Sequence, residues 1–172
     1  MVDYTDKVIS KNAERLIILA TRASVLVAFI LLVIKIYAWL STGSMGVLAA
    51  LVDSLLDLGA SLINMFAVRY ALMPADEEHR FGHGKAEALA GLGQAAFIVS
   101  SALFLIIYTL ERIVHPELLE SFDVGISVML ISMIVTFCLV CFQRHVVKKT
   151  GSIAVKADSV HYASDLVTNA GI

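Results

Sequence analysis

The chain has 172 residues, 59% of them hydrophobic and 16% charged, with a formal net charge of −2 and a mean hydropathy of +0.84. A soluble domain carries about 45–50% apolar residues, so this composition excludes an ordinary water-facing surface and points to a lipid bilayer. The absence of a basic stripe argues against nucleic acid as a partner. Two cysteines inside one apolar run, Cys138 and Cys141, support neither a disulfide framework nor a soluble zinc finger.

Residues 1–15 are polar and mixed in charge. The first apolar stretch is too long for a signal peptide and lacks a small-residue cleavage site, so it reads as a retained span. Crossing hydrocarbon about 30 Å thick takes roughly 20 apolar residues. Four stretches reach that length, over residues 16–40, 45–73, 86–114 and 124–147. A fifth opens near Ile153 and is only partly contained in the 172 residues. The fold class expected is therefore all-α, a polytopic transmembrane helix bundle with four complete spans and an incomplete fifth.

The first span carries Arg22 and Lys35 near its two ends, where long stems let the charges snorkel to the interface. Tyr37 and Trp39 suit an interfacial anchor there. The positive-inside rule sets the orientation: with a cytoplasmic N-terminus, Lys7, Lys11, Arg15, Arg69, Arg80, Lys85, Arg144, Lys148, Lys149 and Lys156 fall inside and only Arg112 outside.

The second span holds two carboxylates, Asp53 and Asp57. Each costs about 2.5–3.5 kcal/mol at a helix centre. Four residues apart, they share one helix face and can reach one cation. The fifth segment repeats the spacing with His161 and Asp165, followed by the polar Thr168 and Asn169. Asp57 lies roughly 16–18 Å from the outer end of its helix and Asp165 roughly 18 Å from the inner end of an antiparallel one, so the pairs meet near the midplane.

Three carboxylates and an imidazole suit a tetrahedral Zn2+ and are tolerable for Fe2+, Cd2+ or Mn2+. The bland alternative is a set of hydrogen-bonded packing acids, or acids paired with Arg22 or Lys35. Metal binds the deprotonated ligands, so loading releases protons; His161, of a residue type titrating near neutral pH, is the favoured carrier of a coupling proton. An intramembrane metallohydrolase would use similar ligands, but no HExxH-type helix with a glutamate base is present.

Three stretches, Gly43 to Asp57 (GSMGVLAALVDSLLD), Pro74 to Glu87 (PADEEHRFGHGKAE) and Ala157 to Asp165 (ADSVHYASD), closely resemble bacterial cation diffusion facilitators, the zinc and ferrous-iron efflux pumps of Gram-negative inner membranes. The resemblance implies a homodimeric secondary transporter rather than an enzyme, with six membrane helices and a cytoplasmic C-terminal domain. It implies tetrahedral metal binding through Asp53, Asp57, His161 and Asp165. It also implies a second metal site in the loop between helices two and three, on Asp76, His79 and His83. By residue type, His-x3-His with a nearby carboxylate supplies three zinc ligands, and a solvated polar loop is the plainer reading. Residues 1–172 then correspond to the cation-efflux transmembrane domain without its sixth helix and C-terminal domain. A non-transporting fragment that binds metal or joins a full-length partner is the alternative function.

Among weaker features, the Cys138/Cys141 pair reads as buried packing. Ala86, Ala90, Gly91 and Gly93 permit a close helix contact within a bundle or dimer. Lys85 and Glu87 read as charge contacts between subunits or domains, or as solvated surface. His115 and His145 read as interface residues.

Overall fold

A computed structural model describes the backbone of residues 4–114 and 122–171. The side chains described begin at Lys11 and end at Val167, leaving out positions 45, 104, 105, 108, 109 and 112–125. Lys7, Arg112, His115, Thr168 and Asn169 lie outside the described side chains.

Among the described residues the secondary structure is entirely helical: α1 Tyr4–Thr42, α2 Met45–Ala71, α3 Lys85–Val114, α4 Phe122–Thr150 and α5 Ile153–Gly171. Four of these are long and apolar enough to cross a membrane, over Lys11–Thr42, Gly46–Ala71, Lys85–Leu103 and Ile126–Thr150. The four spans expected from the sequence match. The one large boundary difference is α1, which begins at Tyr4 because a helix continues through polar residues once its apolar part is anchored.

Two glycines end helices and turn the chain. Gly43 (φ 63°) and Gly151 (φ 68°) adopt the left-handed conformation open to a residue without Cβ. Each donates its N–H back to a helix carbonyl, Gly43 to Trp39 and Gly151 to Val147, at 2.8 Å in both cases. Those are αL terminations, and they fold α2 back along α1 and α5 back along α4.

The bundle is inverted relative to a soluble protein. Large apolar side chains such as Leu26, Phe29, Ile63, Phe66, Leu92 and Ile134 face outward, whereas Ser24, Lys35, Asn64, Gln94, Gln143, Asp158 and His161 are buried. Apolar groups gain nothing by hiding from lipid, so helix association rests on close packing and interhelical hydrogen bonds. The chain is a multi-pass membrane protein on this observation together with its four long apolar helices.

Helix α5 sits inside, against each of the other four. Ala154 and Val155 pack with Ile17, Ala20, Val68, Ala90 and Val146 near its start. Further along, Tyr162 packs on Leu139 and Val140. A Cβ at Gly91 would lie 3.3 Å from Ile153 Cγ2 and 3.9 Å from Ala157 Cβ, whereas one at Gly93 would meet nothing within 4 Å. The small-residue stripe therefore serves the α3–α5 contact within the bundle, through Gly91.

Glu87 is neither free surface nor an outward charge contact: its Oε1 accepts from Ser152 Oγ at 2.5 Å and from the Ala154 N–H at 3.3 Å. Ser152 Oγ in turn accepts the Val155 N–H at 3.2 Å. Helix α5 has no acid in its own first turn; α3 lends it one, where a negative charge favours a helix N-terminus. Ser152→Ala, which removes two of these three hydrogen bonds, is expected to lower stability by about 1–2 kcal/mol. A thermal unfolding curve in detergent identical to the parent's would count against this clasp.

Candidate metal centre

Helix α2 presents one polar face inward. Ser54, Ser61 and Asn64 are buried, while Asp53 and Asp57 are partly exposed. Opposite it, α5 presents Asp158, His161, Tyr162 and Asp165. His161 Nε2 lies 3.1 Å from Asp57 Oδ1 and 3.9 Å from Asp165 Oδ2, with side-chain exposures of 3% for His161, 13% for Asp57 and 22% for Asp165. The three residues offer ligand atoms all within 4.8 Å of one another. The edge of a tetrahedron with metal–ligand bonds of about 2.0–2.1 Å is roughly 3.3 Å. The His161–Asp57 separation is thus already close to what one small cation requires, and the His161–Asp165 separation is somewhat longer. Asp165 Oδ2 is buried without a hydrogen-bond partner, a vacancy in satisfaction that a cation would fill.

Asp53 stands outside that set. It feels the charges of Asp57, Lys35 and His161 but sits one turn nearer the α1–α2 turn. The sequence pattern placed four residues together; the structure brings three into one cluster and leaves the fourth beside it.

The loop forms a second group. Asp76 Oδ1 accepts the His79 N–H at 2.6 Å and lies 3.1 Å from His79 Nδ1; its Oδ2 is 3.4 Å from His83 Nε2. Their ligand atoms also fall within 4.8 Å of one another. The backbone N–H of His79, then its ring, holds the Asp76 carboxyl below the usual carboxylate range, keeping it an acceptor. His83 is buried although two glycines flank it, because the Tyr70 ring stacks edge-on against it at 4.4 Å. Its Nδ1 is buried without a partner. Gly82, with φ 77°, supplies the bend that returns His83 beneath Tyr70.

Residues 21–172 match the cation efflux transmembrane domain. The chain belongs to the cation efflux family. Among similar proteins, cation-efflux pump FieF of Klebsiella pneumoniae subsp. pneumoniae is 54% identical over 163 residues, which cover 95% of this chain and 54% of that protein. FieF of Pectobacterium carotovorum subsp. carotovorum is 52% identical over 158 residues, covering 92% and 53%. FieF of Yersinia pestis strain Pestoides F is 54% identical over 153 residues, covering 89% and 51%. The chain thus spans about half the length of these relatives.

Three features near the candidate centre escape a reading of single residues. Lys35 does not snorkel: it is buried, and its Nζ donates to Ala50 O at 3.0 Å and Ser54 Oγ at 2.6 Å on α2. Arg22, by contrast, is exposed. Tyr162 places its hydroxyl 2.7 Å from Ser61 Oγ, fixing α5 to α2 beside the cluster. Asp158 is 1% exposed and hydrogen-bonded to three other helices. Its signal in the sequence was available: a carboxylate one turn before His161, with single glutamines, Gln94 and Gln143, within two other spans. Cys138 and Cys141, expected to be buried, are free and exposed on α4.

Proposed function

We propose that the full-length protein carrying this chain exports a divalent metal cation, Zn2+ or Fe2+ and by the same donor chemistry Cd2+, across the bacterial inner membrane in exchange for protons. The carrying observation is the convergence of Asp57, His161 and Asp165 from two helices onto one point inside the bundle. Asp53, one turn away on the same face of α2, completes a tetrahedral set on this reading. Three acids and an imidazole, all of them titratable, make metal and protons competitors for the same atoms. His161, in contact with Asp57 and facing Asp165, is the group through which that competition is coupled.

The names of the cation-efflux pumps it resembles support the export direction. The excess of Lys and Arg at the end of the bundle bearing the α2–α3 loop favours a cytoplasmic N-terminus. A homodimer is the assembly proposed, with its unit the bundle described above.

The experiment is zinc uptake into proteoliposomes of the full-length protein with an imposed pH gradient. Uptake driven by that gradient and abolished by a protonophore supports antiport. Saturable uptake indifferent to the gradient removes the coupling while leaving the metal site intact.

Asp76, His79 and His83 form the proposed second metal site. His83→Ala removes the buried ligand of three, and a loss of about ten-fold or more in zinc affinity at the loop is expected. Elemental analysis of protein equilibrated in limiting zinc reads this as less bound metal, with the fraction sensitive to Asp57→Ala unaffected. Equal occupancy in the parent and the variant would rule the loop site out.

A further inference from the structure

The buried Asp158 carboxylate accepts hydrogen bonds from side chains of three other helices. Oδ2 accepts from Ser24 Oγ of α1 at 2.6 Å and from Gln143 Nε2 of α4 at 2.7 Å. Oδ1 accepts from Gln94 Nε2 of α3 at 2.7 Å. Gln143 Nε2 also reaches Ser24 Oγ at 2.9 Å. Relative exposures are 1% for Asp158 and Ser24, 2% for Gln94 and 0% for Gln143, so neither water nor lipid competes for these donors.

Both glutamines commit their amide hydrogens to the carboxylate at a cost: Gln94 Oε1 and Gln143 Oε1 are buried with no partner. Donors outnumber what a packing contact needs, and they come from three helices other than its own. An ionised acceptor makes such hydrogen bonds short and directional.

Position on α5 gives this node its consequence. With 3.6 residues per turn, Asp165 lies about 20° from the Asp158 direction and His161 about 60° to one side. Tyr162, about 40° to the other side, is tied to Ser61 of α2 at 2.7 Å. The ligand pair therefore shares its face of α5 with two anchors. A rotation of α5 by about 10° moves a side-chain tip about 1 Å at a radius of roughly 5–6 Å. Metal–ligand distances tolerate only about 0.2 Å.

We infer that Asp158, held by Ser24, Gln94 and Gln143, is a positioning residue: it sets the rotation and depth of α5 at which His161 and Asp165 face Asp57. It contacts neither the metal nor its ligands in this role. The inference rests on the transport site proposed above and adds to it a residue and three partners that act by placing α5.

The test is the concentration dependence of Zn2+ uptake by full-length protein in proteoliposomes, for the parent, Asp158→Ala, Asp158→Asn, Gln143→Leu and Asp57→Ala. Asp158→Ala releases α5 and is expected to raise KM about ten-fold or more while kcat at saturating zinc stays within about threefold. Asp158→Asn keeps the size, and each glutamine amide can flip to present its unpartnered carbonyl to the new amide; its KM is expected within about threefold of the parent. Gln143→Leu leaves the carboxylate two donors and is expected to shift KM in the direction of Asp158→Ala but by less.

An unchanged KM in Asp158→Ala overturns the inference. So does an Asp158→Asn protein as impaired as Asp158→Ala, because the charge rather than the position would then be in use. If Asp158→Ala does not yield folded protein, Gln143→Leu decides: a raised KM supports the role and a parental KM overturns it. Uptake that survives Asp57→Ala overturns the transport-site reading and this inference with it. Uptake lost in Asp57→Ala but parental in Asp158→Ala overturns this inference alone.

Discussion

Replacing Asp57 with alanine is expected to abolish saturable zinc uptake, and to do so more completely than replacing Asp53. Asp57 is the α2 carboxylate that reaches the α5 ligands, 3.1 Å from His161 Nε2. Without it, His161 and Asp165 remain as two ligands on a single helix, and α2 is left with only Asp53, which lies outside the cluster. Removing one partner of a buried charged pair costs about 3–5 kcal/mol. At about 1.4 kcal/mol per decade, that is roughly a 100-fold loss in affinity or more. Asp53 lies outside the 4.8 Å set, so Asp53→Ala starts from an ion already held by three groups and is expected to lose less. Zinc uptake rates across a concentration series separate the two. Equal losses would mean that Asp53 joins the centre before the ion does, and a stronger loss from Asp53→Ala would reverse the ranking.

What the sequence made legible follows from cost. An acid in hydrocarbon must have a reason, so Asp53, Asp57 and Asp165 were conspicuous as letters in apolar runs. Helical spacing then fixed which of them share a face. The four spans were equally plain, since length and hydropathy decide them before packing does. Spacing could not say which carboxylate of the DxxxD pair meets α5. That depends on the relative depth of two helices, and the turns at Gly43 and Gly151 set it. Lys35 is ambiguous in the sequence for the same reason. Its stem can reach the interface or a neighbouring helix, and only the presence of Ser54 and the Ala50 carbonyl across the gap decides in favour of burial. Asp158 is inconspicuous in the sequence because its partners are uncharged. A serine and two glutamines stand out far less in an apolar run than an ionisable group does, although the glutamines are what hold that aspartate. Glu87 lay beyond single-element reading because it caps a helix 65 residues further along the chain.

The buried Lys35 leads to the second large effect, and its sign is opposite to the first. The ammonium donates to Ala50 O and Ser54 Oγ, and it lies within electrostatic reach of Asp53, Asp57 and Asp165. In the empty site it offsets carboxylate charge. Toward an arriving divalent ion it is a repulsive neighbour that cannot leave, being only 9% exposed and tied to α2. Lys35→Met keeps the stem volume and removes the charge. A +1 charge acting on a +2 ion at about 10 Å with an effective dielectric of about 20 is worth roughly 3 kcal/mol. Rearranged protons and water return part of that, so a gain of about ten-fold in zinc affinity is the expected net result. Tighter binding in a transporter slows release, so KM and kcat for zinc uptake are expected to fall together. A KM that rises instead would assign Lys35 a scaffold role, in which its hold on Ser54 places Asp53 and Asp57 and the charge is incidental. The methionine variant deletes the hydrogen bonds and the charge together while leaving the packing of the stem, so the sign of the change in KM reads which effect dominates: lost placement raises KM, and lost repulsion lowers it.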